Sequence, residues 1–200
     1  FGKWQYYLRR LGVAHVPRGH SALIFLSGFV LTVTPGKLGE VFKSAVLART
    51  HGVPVERTAP IVVAERLTDV IAIVLLVVFG SLGFRGGLYW AALGGMAVVI
   101  GLVAILWEPP VRAVLRALEK RPRGAALAQR LGHAYDSLRV VAAPRAFAWP
   151  VLLSLVGWGL EGVALHLLLG GFGQDPALSF SMFFYATATL AGALAWGLFV

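Results

Sequence analysis

Cysteine is absent from the chain. That excludes a disulfide scaffold, a thiol nucleophile and any thiolate metal site. Asparagine is absent too, so there is no acceptor for N-glycosylation. Acidic residues are scarce, 9 against 18 Lys and Arg, which leaves a net charge of +9. Charge of either sign occupies only 14% of 200 positions, where a soluble domain carries about 25%. Apolar residues fill the difference at 58%, against the usual share of about 45–50%. A soluble chain of this size has too little interior to hide that surface. Uncharged runs at 86–107 and 176–200 are each long enough to cross a hydrocarbon layer of roughly 30 Å at about 1.5 Å per residue. The composition predicts an all-α, polytopic membrane protein.

Other absences narrow the chemistry. There is no His-Glu-x-x-His, no metal-ligand cluster and no nucleophile elbow with partners, so no catalytic mechanism, metal or cofactor is expected from these residues. The chain opens at Phe1 with no methionine and no signal-peptide pattern, and Val200 stops it inside an apolar run. It therefore reads as an excerpt of a longer protein, truncated at both ends. The basic surplus lies between apolar segments, where the positive-inside rule and anionic headgroups explain it, and no nucleic-acid partner is expected.

Charge also orients the segments. Lys3, Arg9, Arg10 and Arg18 mark residues 1–19 as cytoplasmic. The apolar stretch from Ser21 to Thr34 is too short to span and ends at Pro35-Gly36, and a second arm runs from Leu38 to Arg49. Longer apolar segments follow at 61–83, 88–107, 147–171 and 178–200. A basic linker at 108–145, with eight basic and three acidic residues, separates the second from the third. If 20–34 crossed fully, the basic loop at 49–57 and the linker would both fall outside. If 20–50 is a re-entrant hairpin, every basic block falls inside. The second arrangement is expected. The linker reads as amphipathic helices on the inner leaflet, with Arg112, Arg116, Lys120, Arg121 and Arg123 toward anionic headgroups. Trp90, Trp107 and Trp149 fall near segment ends, as an aromatic belt would place them.

Three constellations could carry function. In Pro35-Gly36-Lys37-Leu38-Gly39-Glu40, proline and two glycines break the first arm. A helix starting near Leu38 would turn unpaired N–H groups and its positive dipole end toward an anion at the break. Lys37 sits at that mouth, and Lys43 lies three residues beyond Glu40. In Glu65-Arg66-Leu67-Thr68-Asp69, Glu65 and Asp69 share one helix face and Arg66 can reach Asp69. Two carboxylates at the edge of hydrocarbon need a cation, and Lys37 or Lys43 are the nearest by topology. A purely structural ion-pair network pinning hairpin to helix would use the same residues. Glu161, near the middle of 147–171, costs several kcal/mol if charged there and is protonated, paired or facing water. His166 further along is more often a satisfied interior residue.

The run Thr34-Pro35-Gly36-Lys37-Leu38-Gly39-Glu40 is followed by Arg49-Thr50-His51-Gly52-Val53-Pro54 and then Glu65-Arg66-Leu67-Thr68-Asp69. In that order and spacing the three resemble the lysylphosphatidylglycerol synthase transmembrane (flippase-like) family. Members typically carry a second Pro-Gly-Gly-Leu-Gly segment after a stretch like Leu190-Ala191-Gly192-Ala193-Leu194. The resemblance implies a prokaryotic, multi-pass domain of the cytoplasmic membrane that moves lipids between leaflets. The cargo would be aminoacylated phosphatidylglycerol, another phospholipid or a polyprenyl-phosphate lipid. It also implies that Pro35, Gly36, Lys37, Gly39 and Glu40 form the first re-entrant element, with Glu65, Arg66 and Asp69 beside it.

On that reading Lys37, Lys43 and Arg66 contact phosphate. Glu40, Glu65 and Asp69 balance them or meet a cationic headgroup, and Glu161 completes the candidate set. Three crossings between the first hairpin and residue 178 make the second broken element enter from the opposite face, as inverted repeats do. Aminoacyl transfer would need a fused or partner synthase domain. That domain and a homo-oligomer are left open, as is the alternative of a non-transporting scaffold for a lipid- or glycan-modifying enzyme.

Overall fold

The computed structural model describes residues 1–30, 38–83, 107–121 and 124–199, with short pieces between 89 and 103. Among the described residues the regular elements are helices and no strand occurs. They are α1 (Gly2–Arg10), α2 (Arg18–Val30), α3 (Leu38–His51), α4 (Val55–Thr58), α5 (Pro60–Ser81), α6 (Glu108–Glu119), α7 (Ala125–Val141), α8 (Pro144–Gly171) and α9 (Leu178–Phe199). Half of the segment expected at 88–107 lies outside the described residues, as do Trp90 and Arg123. The chain divides into two compact units: Phe1–Glu65 with Leu106–Phe147, and Arg66–Ile105 with Ala148–Val200.

In the first unit α2 packs on α3, α6 on α7, and α7 against α1 and α4. Its core gathers Trp4, Tyr7, Leu8, Ile24, Leu47, Ile61 and Val141, all buried. Helix ends follow from local chemistry. Gly52 follows the last residue of α3 at φ +67°, a left-handed conformation that only glycine takes without strain, and its N–H bonds the Ala48 carbonyl at 3.0 Å. Pro54 then opens α4. Glu108 and two prolines form the first turn of α6, where a carboxylate suits the dipole and the missing N–H groups are not needed.

The linker is built into this unit rather than being a separate strip. Leu115, Ala128, Tyr135 and Val141 are buried, and Arg130 on α7 meets Glu56 on α4 at 3.5 Å. Arg112, expected toward headgroups, is held by Glu108 at 3.2 Å and Asp136 at 2.6 Å, while Arg139 meets Glu108 at 2.8 Å. The hydrogen bonds it donates to Glu108 and Asp136 hold its guanidinium above its ordinary pKa.

The second unit packs the later part of α5 against α8 and α9. Ile73, Leu76 and Val77 meet Met182 and Ala186, with Leu155, Trp158 and Phe183 around them. Helices approach closely here: a methyl group at Gly80 would lie 2.6 Å from the Phe183 backbone nitrogen. Pro150 sits buried inside α8 and leaves the Ala146 carbonyl without its helical N–H. Among the described residues α8, 28 residues long, is the one helix both long and apolar enough to cross a membrane by length and composition. In α5 the charges of Glu65, Arg66 and Asp69 interrupt an otherwise aliphatic run of 22 residues.

Candidate functional site

Pro35, Gly36 and Lys37 lie outside the described residues. Gly39 and Glu40 fall in the first turn of α3, so a helix does begin at Leu38. Six residues along, the structure becomes informative about side chains.

Lys43 on α3 is buried, with its ammonium 3.3 Å from Glu65 Oε2 on α5. Two rings face the same ammonium: Trp4 from α1, with its centroid at 5.1 Å, and Phe25 from α2 at 5.0 Å. Trp4 is held in turn by its indole N–H, which donates to Ser21 Oγ at 3.0 Å, and Gln5 donates to the same hydroxyl. A desolvated ammonium is thus met by one carboxylate and two π faces, a set that substitutes for its hydration shell. Helices α1, α2, α3 and α5 each supply one member. Charge and aromatic surface together tie α1, α2 and α3 to the start of α5.

In the second unit Arg66 and Asp69 form an i,i+3 pair at 3.7 Å, and the Arg66 side chain keeps 45% of its surface exposed against 19% for Asp69. Ser154 on α8 donates to Asp69 Oδ1 at 2.8 Å, fixing the carboxylate from the neighbouring helix. A carboxylate held on one oxygen by a hydroxyl orients the guanidinium on the other. Glu161 takes a hydrogen bond from the Tyr185 hydroxyl on α9, and Tyr185 leans on Trp158 at 6.4 Å between centroids. His166 and Ser181 approach at 3.5 Å on the same helix pair.

Of the residues singled out from the sequence, the structure pairs Lys43 with Glu65 and Arg66 with Asp69, and it gives Glu161 a partner in Tyr185. Trp4, Phe25, Ser154 and Tyr185 were not foreseen. An aromatic ring or a serine inside an apolar run carries no local mark that it faces a charge tens of positions away. Among the described residues no group of His, Asp and Glu could hold a metal ion.

Helices throughout the described residues, one of them long and apolar, with buried or half-buried charges set among aliphatic residues, are consistent with a helical membrane domain. The chain belongs to the family described as Lysylphosphatidylglycerol synthase TM region, whose model matches residues 1–196. Membership places it in a membrane and relates it to lipid modification or transport. No curated protein and no solved structure matches the chain.

Proposed function

We propose that this domain moves a phosphate-bearing lipid between leaflets. The cargo is a phospholipid such as phosphatidylglycerol or its aminoacylated form, or a polyprenyl-phosphate lipid. The observation that carries the reading is Arg66: a half-exposed guanidinium on an otherwise aliphatic helix, aimed by Asp69, which Ser154 holds in place. Such a group suits bidentate contact with phosphate, and a headgroup can exchange with a half-exposed partner more readily than with a buried one.

Lys37, at the break before α3, is the second phosphate ligand in this proposal, with Pro35, Gly36, Gly39 and Glu40 shaping the turn around it. Segment 20–50 dips into the bilayer and returns at Pro35-Gly36, and 178–200 opens the inverted counterpart. Lys43 and Glu65 hold the arms of that hairpin to α5 rather than touching lipid, because their charges already satisfy each other in a dry setting. The protein is multi-pass in a prokaryotic cytoplasmic membrane.

The test is leaflet exchange of a fluorescent phosphatidylglycerol in vesicles holding the full-length protein. Arg66→Ala is expected to slow exchange by about tenfold, the loss of one charge-assisted contact, and Arg66→Lys to restore part of it. Lys37→Ala is expected to act in the same direction. Wild-type rates in both alanine variants would remove the site assignment. No acceleration by the wild-type protein would remove translocation itself and favour a scaffold for a lipid-modifying enzyme.

A further inference from the structure

The antiparallel pair α6–α7 has two unlike sides. Its seam is fixed by Arg112 against Asp136, by Glu108 against Arg139, and by Leu115, whose Cδ1 would lie 4.0 Å from a methyl group at Gly132. One residue before Leu115 is Val114, and one residue before Gly132 is Leu131. At about 100° per residue, in helices running in opposite directions, both turn to the same side of the seam. Leu127 joins them four residues before Leu131. These three apolar side chains are exposed, at 58% for Val114, 51% for Leu127 and 45% for Leu131.

The other side carries Arg112, Arg116, Gln129, His133 and Asp136 around an open polar groove of about 420 Å³. Val114, Leu127 and Leu131 thus share one face, while Val140, 47% exposed, falls on the groove side two turns after His133. The charges around it are predominantly basic. Lys120 and Arg121 are exposed at the tip of the hairpin, and Arg130 keeps 73% of its side-chain surface despite its contact with Glu56. Arg112 and Arg139 are neutralised by Glu108 and Asp136, so they contribute little to the outward field. Connectivity supplies the third observation. Only two residues separate the end of α7 at Val141 from the start of α8, the apolar helix of membrane-crossing length. The hairpin is thus tethered at the end of a span.

We infer that the α6–α7 hairpin docks in the plane of the membrane surface. Val114, Leu127 and Leu131 enter the boundary between headgroups and acyl chains, Lys120, Arg121 and Arg130 attract anionic lipid, and the Arg116–His133 groove stays in water. This reading does not depend on translocation, since it concerns where the hairpin lies and not what the domain carries.

No cysteine occurs within these 200 residues, so none of them competes for the label. In the full-length protein, L131C, V114C and H133C each carry one environment-sensitive fluorophore, in vesicles of phosphatidylcholine with or without phosphatidylserine. Phosphatidylserine supplies the negative charge so that docking is not confounded with a phosphatidylglycerol cargo. Labels at 131 and 114 are expected to be quenched by nitroxide-bearing lipid and the label at 133 by aqueous iodide. Removing phosphatidylserine, or replacing Arg121 by Gln, is expected to lower the docked-to-undocked ratio, by about fivefold for the single charge. If iodide reaches positions 131 and 114 as readily as 133, the hairpin is solvated and the inference fails. If neither quencher reaches 131 and 114, protein covers the face and the inference fails equally. The label at 114 keeps the test intact should L131C not fold.

Discussion

Glu65 and Arg66 are consecutive in the chain, yet their ion pairs live under different rules. Glu65 meets Lys43 in a dry interior beneath the rings of Trp4 and Phe25, whereas Arg66 meets Asp69 with nearly half of its own surface exposed. A buried pair gains little over a well-packed apolar substitute, but breaking it strands a charge. A half-exposed pair contributes little to stability and its cation remains accessible to another anion. The contrast separates a sealed ion pair from a half-exposed one within one helix.

The sharpest way to break that contrast is Glu65→Ala, which leaves the Lys43 ammonium buried without its carboxylate. It is expected to cost about 3–5 kcal/mol in denaturant unfolding of the full-length protein in micelles. The double replacement Lys43→Met with Glu65→Leu should recover most of that loss. If Glu65→Ala were no more harmful than Arg66→Ala, the contrast would not exist. Phe25→Leu comes next: the ring's share in holding Lys43 should appear as a coupling of about 1 kcal/mol in a cycle with Lys43→Met, and zero coupling would reduce Phe25 to packing. The smallest expected effect is Ser154→Ala, about 1 kcal/mol for the lost bond to Asp69. Its value is diagnostic, because slower lipid exchange at nearly unchanged stability would tie Asp69 orientation to the Arg66 contact.

Parts of this arrangement were legible beforehand. The Arg66–Asp69 pair follows from i,i+3 spacing on a helix, a purely local rule. A cation for Glu65 from the 20–50 segment, Lys37 or Lys43, followed from the physical cost of a lone carboxylate in an apolar run, and the fold supplies Lys43. The aromatic cover over Lys43 was not legible, because Trp4 and Phe25 look like ordinary apolar residues until α1 and α2 are packed. The partners of Arg112 were legible only in part. Its basic character suggested lipid headgroups, while the fold supplies Glu108 one turn before it and Asp136 on the facing helix.

The sequence by itself determined that this is a helical membrane domain of its family. Hydrophobic length, sparse charge and short motifs act additively along the chain and need no knowledge of packing. Only tertiary structure decided which charges are sealed and which stay reachable. The partner of Asp69 lies 85 positions away at Ser154, and the rings over Lys43 come from two other helices. Solvation of an ionisable group depends on everything within a few ångströms of it, and that neighbourhood is set by helix crossings rather than by spacing along the chain.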